Sequence, residues 1–175
     1  MGRTIAVAAA LALSACAEPG FLHPATDFEF ELSGRIAVKY RDEASSGNLA
    51  WRHRAGGDEL LITSALGQGI ARIVREGGEV TLTTPEAREY RAADAESLTE
   101  QVLGFRLPLA GLADWVRARP APGPAQTRRD ADGRLAELEQ SGWRIEYLDY
   151  AGNRPARLRL TYPGLELRLA ISEWK

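Results

Sequence analysis

The chain has 175 residues, 45% of them hydrophobic and 26% charged, with a formal net charge of −2. That length and balance suit one folded domain with a real core and exclude a disordered chain; without a basic excess, a nucleic-acid binder is not expected. One cysteine excludes an internal disulfide, and with only two histidines no Cys/His cluster has metal-site spacing.

Arg3 precedes an uninterrupted apolar run at residues 5–13, too short to span a bilayer, so residues 1–15 read as a secretory signal peptide. The string Leu13-Ser14-Ala15-Cys16 resembles the lipobox of bacterial lipoproteins, in which the cysteine is acylated and becomes the first mature residue. Ordinary cleavage within Ala15-Cys16-Ala17 is the alternative. Ala17, at the second mature position, is compatible with export to an outer membrane. Residues 16–27, with Pro19, Gly20 and Pro24, form a lipidated N-terminus and tether.

From residue 28 onward the pattern is that of one domain, 28–175. Phe28, Phe30, Leu32, Ile36, Val38 and Tyr40 share one parity while Glu29, Glu31, Arg35 and Lys39 share the other, which predicts a half-buried strand kinked at Gly34. The polar stretch 41–47 reads as a loop, and Leu49, Trp51 and His53 as the inner face of a second strand. Gly56-Gly57-Asp58 marks a turn before a strand at 59–63, and Gly77-Gly78 a hairpin between 70–76 and 79–84. A short strand follows around Tyr90.

Two helices interrupt the strands. Asp94 is the expected N-cap of the first, with Leu98, Val102 and Leu103 on its apolar side and Gly104 as terminator. Pro108 opens the second, with Leu109, Leu112, Trp115 and Val116 as its stripe and Pro120 as its end. Strands resume near Gln126, with Asp132-Gly133 and Pro163-Gly164 as turns. Trp143, Ile145 and Tyr147 alternate, as do Leu158, Leu160 and Tyr162, and then Leu165, Leu167, Leu169 and Ile171.

About ten or eleven short strands with one dry face, plus two helices, predict an α+β fold. Two short helices are few for so wide a sheet, so an open, curved antiparallel sheet with a hydrophobic cavity under the helices is the expectation. A fully packed α+β core is the alternative.

Local strings across the chain add a resemblance. They are Leu32-Ser-Gly-Arg-Ile-Ala, Gly47 with Trp51, residues 60–67 ending in Ala-Leu-Gly, Tyr90-Arg-Ala-Ala-Asp-Ala-Glu96 and Leu103-Gly-Phe-Arg-Leu-Pro108. Leu112-Ala-Asp-Trp-Val116, Gly142-Trp143-Arg-Ile-Glu-Tyr147, Pro155 and the ending from Leu167 to Trp174 complete the set. In this order, behind a lipobox, they resemble the LolB family of outer-membrane lipoprotein receptors. The resemblance implies an open antiparallel half-barrel lidded by helices around an acyl-chain cavity. It makes Leu49, Trp51, Trp115 and Trp143 candidates for the cavity wall, with Leu98, Val102 and Leu112 from the lid; ordinary core packing is the alternative for each. It also implies that Leu66, followed by Gly67, protrudes and inserts cargo into the bilayer, whereas residue chemistry alone leaves open that Leu66 folds back. The family often has Pro where this chain has Ala65.

The implied partners are a LolA-like periplasmic carrier, acylated lipoprotein cargo and outer-membrane lipid, with no cofactor, no metal and no catalysis. A monomer is expected, lipid-anchored in the outer membrane and facing the periplasm. A rival reading is an anchored half-barrel that binds another apolar ligand or scaffolds envelope assembly. His53 sits in a strand, His23 in the tether, and Gly67-Gln68-Gly69 is too short for a phosphate motif.

Overall fold

The computed structural model describes residues 28–175; the expected signal peptide, Cys16 and the tether through residue 27 lie outside the described residues. Six strands come first: β1 (Phe30–Tyr40), β2 (Glu43–Arg54), β3 (Gly57–Thr63), β4 (Gly69–Glu76), β5 (Glu79–Thr83) and β6 (Glu89–Ala92). Helices α1 (Ala95–Leu103) and α2 (Leu109–Trp115) follow. The chain ends in β7 (Gln126–Arg129), β8 (Leu135–Gln140), β9 (Trp143–Ala151), β10 (Arg154–Tyr162) and β11 (Leu165–Trp174).

All eleven strands form one sheet in the order β6-β5-β4-β3-β2-β1-β11-β10-β9-β8-β7. Every pairing is antiparallel, so the first and last strands meet at the centre and the sheet ends at β6 and β7 without closing. Among the described residues, the only long connection between strands runs from one free edge to the other and carries both helices, whose apolar residues join the inward residues of the strands in a single core. This is the open half-barrel with a helical lid that the strand count and the family resemblance implied.

The alternation read from the sequence holds along most strands, with Phe30, Leu32, Leu49, Trp51, Ile145, Leu158, Leu160 and Leu167 all buried. Two departures have local causes. Residues 43–47, expected in a loop, are the start of β2, pairing with β1 from Tyr40↔Glu43 to Ile36↔Gly47. Their polar side chains do not prevent a strand, because β1 satisfies one edge of the backbone. The turn is only Arg41 and Asp42, with Arg41 at φ 55°. At the other end, the register between β1 and β11 shifts at Ser33/Gly34, pairing Ser33 with Glu173 but Gly34 with Ile171. This bulge reverses the parity of β11 and turns Trp174 onto Phe30, at 5.6 Å between ring centroids. Gly34 is required here, since a Cβ would sit 2.2 Å from the Ala170 carbonyl oxygen.

Both helices begin as expected and α1 ends as expected, but α2 stops at Trp115 rather than running to Pro120, and the two are held differently. Asp94 caps α1, its carboxylate accepting from the Ser97 amide at 2.7 Å, and Gly104 closes it at φ 80°. Helix α2 has seven residues and no side-chain cap, too short to persist alone. Packing holds it. Leu109, Leu112, Ala113 and Trp115 are buried, the Trp115 indole donates to Gln140 Oε1 at 2.8 Å, and the Tyr147 hydroxyl donates to the Trp115 carbonyl at 2.8 Å.

Candidate functional site

The loop between β3 and β4 is tied at its base and free at its tip. The Ser64 carbonyl accepts from the Gly67 amide at 3.0 Å and from the Asn48 side chain at 3.0 Å, and the Ser64 amide donates to the Gln68 carbonyl at 2.8 Å. The Ser64 hydroxyl oxygen also accepts from the amides of Leu66 at 3.3 Å and Gln68 at 3.2 Å. Gly67 takes φ 81°, a left-handed conformation that a side chain would strain. Leu66 caps this turn with 88% of its surface exposed. It does not fold back into the core.

Beside the loop lies an apolar hollow of about 260 Å³. Ile36, Val38 and Tyr40 of β1, Ile62 of β3, Ile70 and Ile73 of β4, and Leu167 of β11 wall it. Phe105 and Leu107, from the linker between the helices, close it on the lid side, with Phe105 5.6 Å from the Tyr40 ring. Ile62 and Ile70 flank the loop in the chain, and Ile70 is itself 43% exposed. Loop and hollow therefore open at the same end of the half-barrel. The signal for this lining was present in the parity of Ile36, Val38 and Tyr40, but sequence reasoning favoured the tryptophans and missed it.

The seven residues proposed for a cavity wall lie elsewhere in this structure. Leu49, Trp51, Leu98, Leu112, Trp115 and Trp143 are buried in the core and Val102 packs half-buried against it; none lines the apolar hollow. The tryptophans are also bound by polar ties. Trp115 holds Gln140, and the Trp51 indole donates to Asp58 Oδ1 at 2.9 Å.

Asp58 is the centre of a second cluster, at the opposite end of β2, β3 and β4. Its fully buried carboxylate also meets His53 Nδ1 at 2.7 Å and Arg75 Nη2 at 2.6 Å. Arg117, just beyond α2, extends the cluster by pairing with Glu29 at 3.0 Å and Asp114 at 3.1 Å while lying over the Phe30 ring. Each of these charges is matched, as a buried ionic group requires. Among the described residues, no hydroxyl or thiol joins the hydrogen bonds of this cluster and no group of His, Cys, Asp and Glu is arranged to hold a metal ion. The cluster fastens the lid to the sheet.

A model of the family described as outer membrane lipoprotein LolB matches residues 28–174. The chain belongs to the LolB family. The outer-membrane lipoprotein LolB of Thiobacillus denitrificans is 44% identical over 146 residues, covering 82% of this chain and 78% of its own. That of Chromobacterium violaceum is 36% identical over 182 residues, covering 99% of this chain and 98% of its own. Among solved structures, a LolA superfamily protein from Nitrosomonas europaea is similar at a TM-score of 0.48 with 12% identity, covering 83% of this chain and 85% of the other. The family resemblance carried by the ordered local strings is thereby borne out.

Proposed function

We propose that this LolB-family protein accepts acylated lipoproteins from a LolA-like periplasmic carrier and inserts them into the outer membrane. It does so as a monomer without catalysis or ATP, anchored by acylated Cys16 and facing the periplasm. The observation that supports this reading is a projecting leucine, Leu66, in a loop whose flanking residues Ile62 and Ile70 line an apolar hollow. Each methylene of a lipid chain exposed to water costs about 0.8 kcal/mol, so a long chain crosses an aqueous space only under cover. A hollow that covers chains lowers that barrier. Transfer runs downhill if each site holds the chains better than the last, with the bilayer as the final sink. Leu66 and Gly67 form the insertion loop, and Leu66 is the group that enters the lipid interface first.

The hollow is smaller than the roughly 300 Å³ at which small-ligand pockets begin. Cargo therefore enters by displacing part of the lid. Phe105 and Leu107 close the hollow by apolar contact, whereas α2 is fastened through Trp115 and Arg117, so the linker and α1 are the parts that yield. Leu49, Trp51, Leu98, Val102, Leu112, Trp115 and Trp143 line the enlarged cavity once it opens.

The well-filled core favours a second reading, an anchored half-barrel that scaffolds envelope assembly or holds another apolar ligand. A transfer experiment separates the two. The mature chain with Cys16→Ala, which leaves residues 28–175 whole, is mixed with a carrier loaded with an acylated lipoprotein, then with liposomes. Cargo moves onto the protein and then into the liposomes under the first reading; a carrier that keeps its cargo contradicts it.

A further inference from the structure

The wall of the hollow is not uniformly apolar. Along β1 the lining residues are Ile36, Val38 and Tyr40, but their partners across the ladder on β2 are Gly47, Ser45 and Glu43. Ser46 joins them in the lining. Strand β3 pairs with β2 only from Asn48 onward, so residues 43–46 have a strand neighbour on one side alone. This stretch is exposed, and among the described residues no side chain in it makes a hydrogen bond or ion pair. A short free strand edge with the Ser45 hydroxyl and the Glu43 carboxylate on the inner face thus borders a greasy hollow at the end that carries Leu66.

A ligand made only of hydrocarbon would strip water from these groups and return nothing, which is unfavourable for each unsatisfied donor or acceptor. The lining fits a molecule with a polar linkage beside its chains. We infer that the edge formed by residues 43–46 binds the polar junction of the cargo: the glyceryl esters and the amide of the acylated cysteine, with the first peptide units that follow it. This inference rests on the proposed receptor function and names the part of the cargo that the hollow's polar side reads. The Ser45 hydroxyl donates to an ester or amide carbonyl. Glu43 accepts from an amide N–H, and the free backbone edge pairs with the extended peptide as an added strand does. Arg41 stacks 4.9 Å over the Tyr40 ring at the adjoining turn and is not part of the lining. The Glu43 carboxylate also disfavours a phosphodiester in the same place, which biases the hollow against membrane phospholipid.

The test measures displacement of a fluorescent fatty acid from the mature Cys16→Ala chain. The probes are a synthetic triacylated-cysteine peptide, the same molecule with its backbone amides N-methylated, and phosphatidylglycerol of matched chain length. The parent protein should prefer the first probe to the second by about tenfold, the size expected from one or two lost hydrogen bonds. A Ser45→Ala variant should lose several-fold for the first probe with the fatty acid unaffected, and Glu43→Gln should bind phosphatidylglycerol more tightly. Equal affinity for the two peptide probes, with no change in either variant, overturns the inference and leaves the receptor reading standing. If no triacylated probe displaces the fatty acid at all, both fall.

Discussion

The Trp51 indole nitrogen and the Asp58 carboxylate, 2.9 Å apart in neighbouring strands, join the apolar core to the buried ionic cluster at the end of the half-barrel opposite the Leu66 loop. Asp58 is entirely buried and is shared with His53 and Arg75. Removing it leaves three donors without an acceptor. Asp58→Ala is expected to destabilise the fold by about 3–5 kcal/mol, the range for breaking a buried ion pair, measured by urea unfolding. Asp58→Asn, which retains an acceptor for the indole, should lose less.

The fastening of α2 gives a smaller effect with a pH signature. Tyr147→Phe removes the hydrogen bond to the Trp115 carbonyl and is expected to cost about 1 kcal/mol. Burial pushes the Tyr147 hydroxyl well above its ordinary value of 10.0. A group whose folded value is raised contributes stability that is present in full below the unfolded value and lost as pH rises beyond it. The parent should therefore weaken progressively above pH 10, and Tyr147→Phe should show a shallower alkaline decline in thermal melts.

At the other end of the lid, the sign is opposite. The Asp94 carboxyl is held below its ordinary value of 3.8, first by the Ser97 amide and then by the Ser97 hydroxyl. A depressed carboxyl contributes stability above the unfolded value and loses it as pH falls through the folded one. Amide exchange in α1 should thus accelerate, relative to α2, as pH drops below 3.8. Asp94→Ala should show the faster α1 exchange already at neutral pH, with the sheet unaffected.

The strand count, both helix boundaries at their starts and the family were legible in the sequence because alternation, the Asp94 cap and the glycine turns are local signals. What stayed hidden depends on pairing between distant strands. Nothing local to Glu43-Ala44-Ser45-Ser46 announces a strand; β1 makes it one. The bulge opposite Gly34 that turns Trp174 inward exists only in the pairing of β1 with β11. The lining of the hollow was hidden for a related reason: Ile36, Val38 and Tyr40 read as ordinary strand alternation, and only the pairing of β1 with its neighbours and the linker at Phe105 and Leu107 makes them a wall.

The loop at Ser64 carries a prediction of its own. Ser64-Ala65-Leu66-Gly67 is a turn closed by the Gly67 amide on the Ser64 carbonyl, and Ala65 occupies its second position, which accommodates proline. Ala65→Pro is expected to stabilise the protein by about 0.4–1 kcal/mol through the unfolded chain and to raise the rate of cargo insertion. Ser64→Ala, which removes the hydroxyl that holds the Leu66 and Gln68 amides, should slow insertion several-fold without altering acceptance from the carrier. Both are read in a liposome time course.

The most direct measurement is the two-step transfer in Leu66→Glu. Because Leu66 is almost fully exposed, the change should leave stability within about 0.5 kcal/mol of the parent. The account predicts that the variant still takes acylated lipoprotein from the carrier but no longer delivers it to liposomes, so that cargo accumulates on the protein. Delivery at the parent's rate would contradict it.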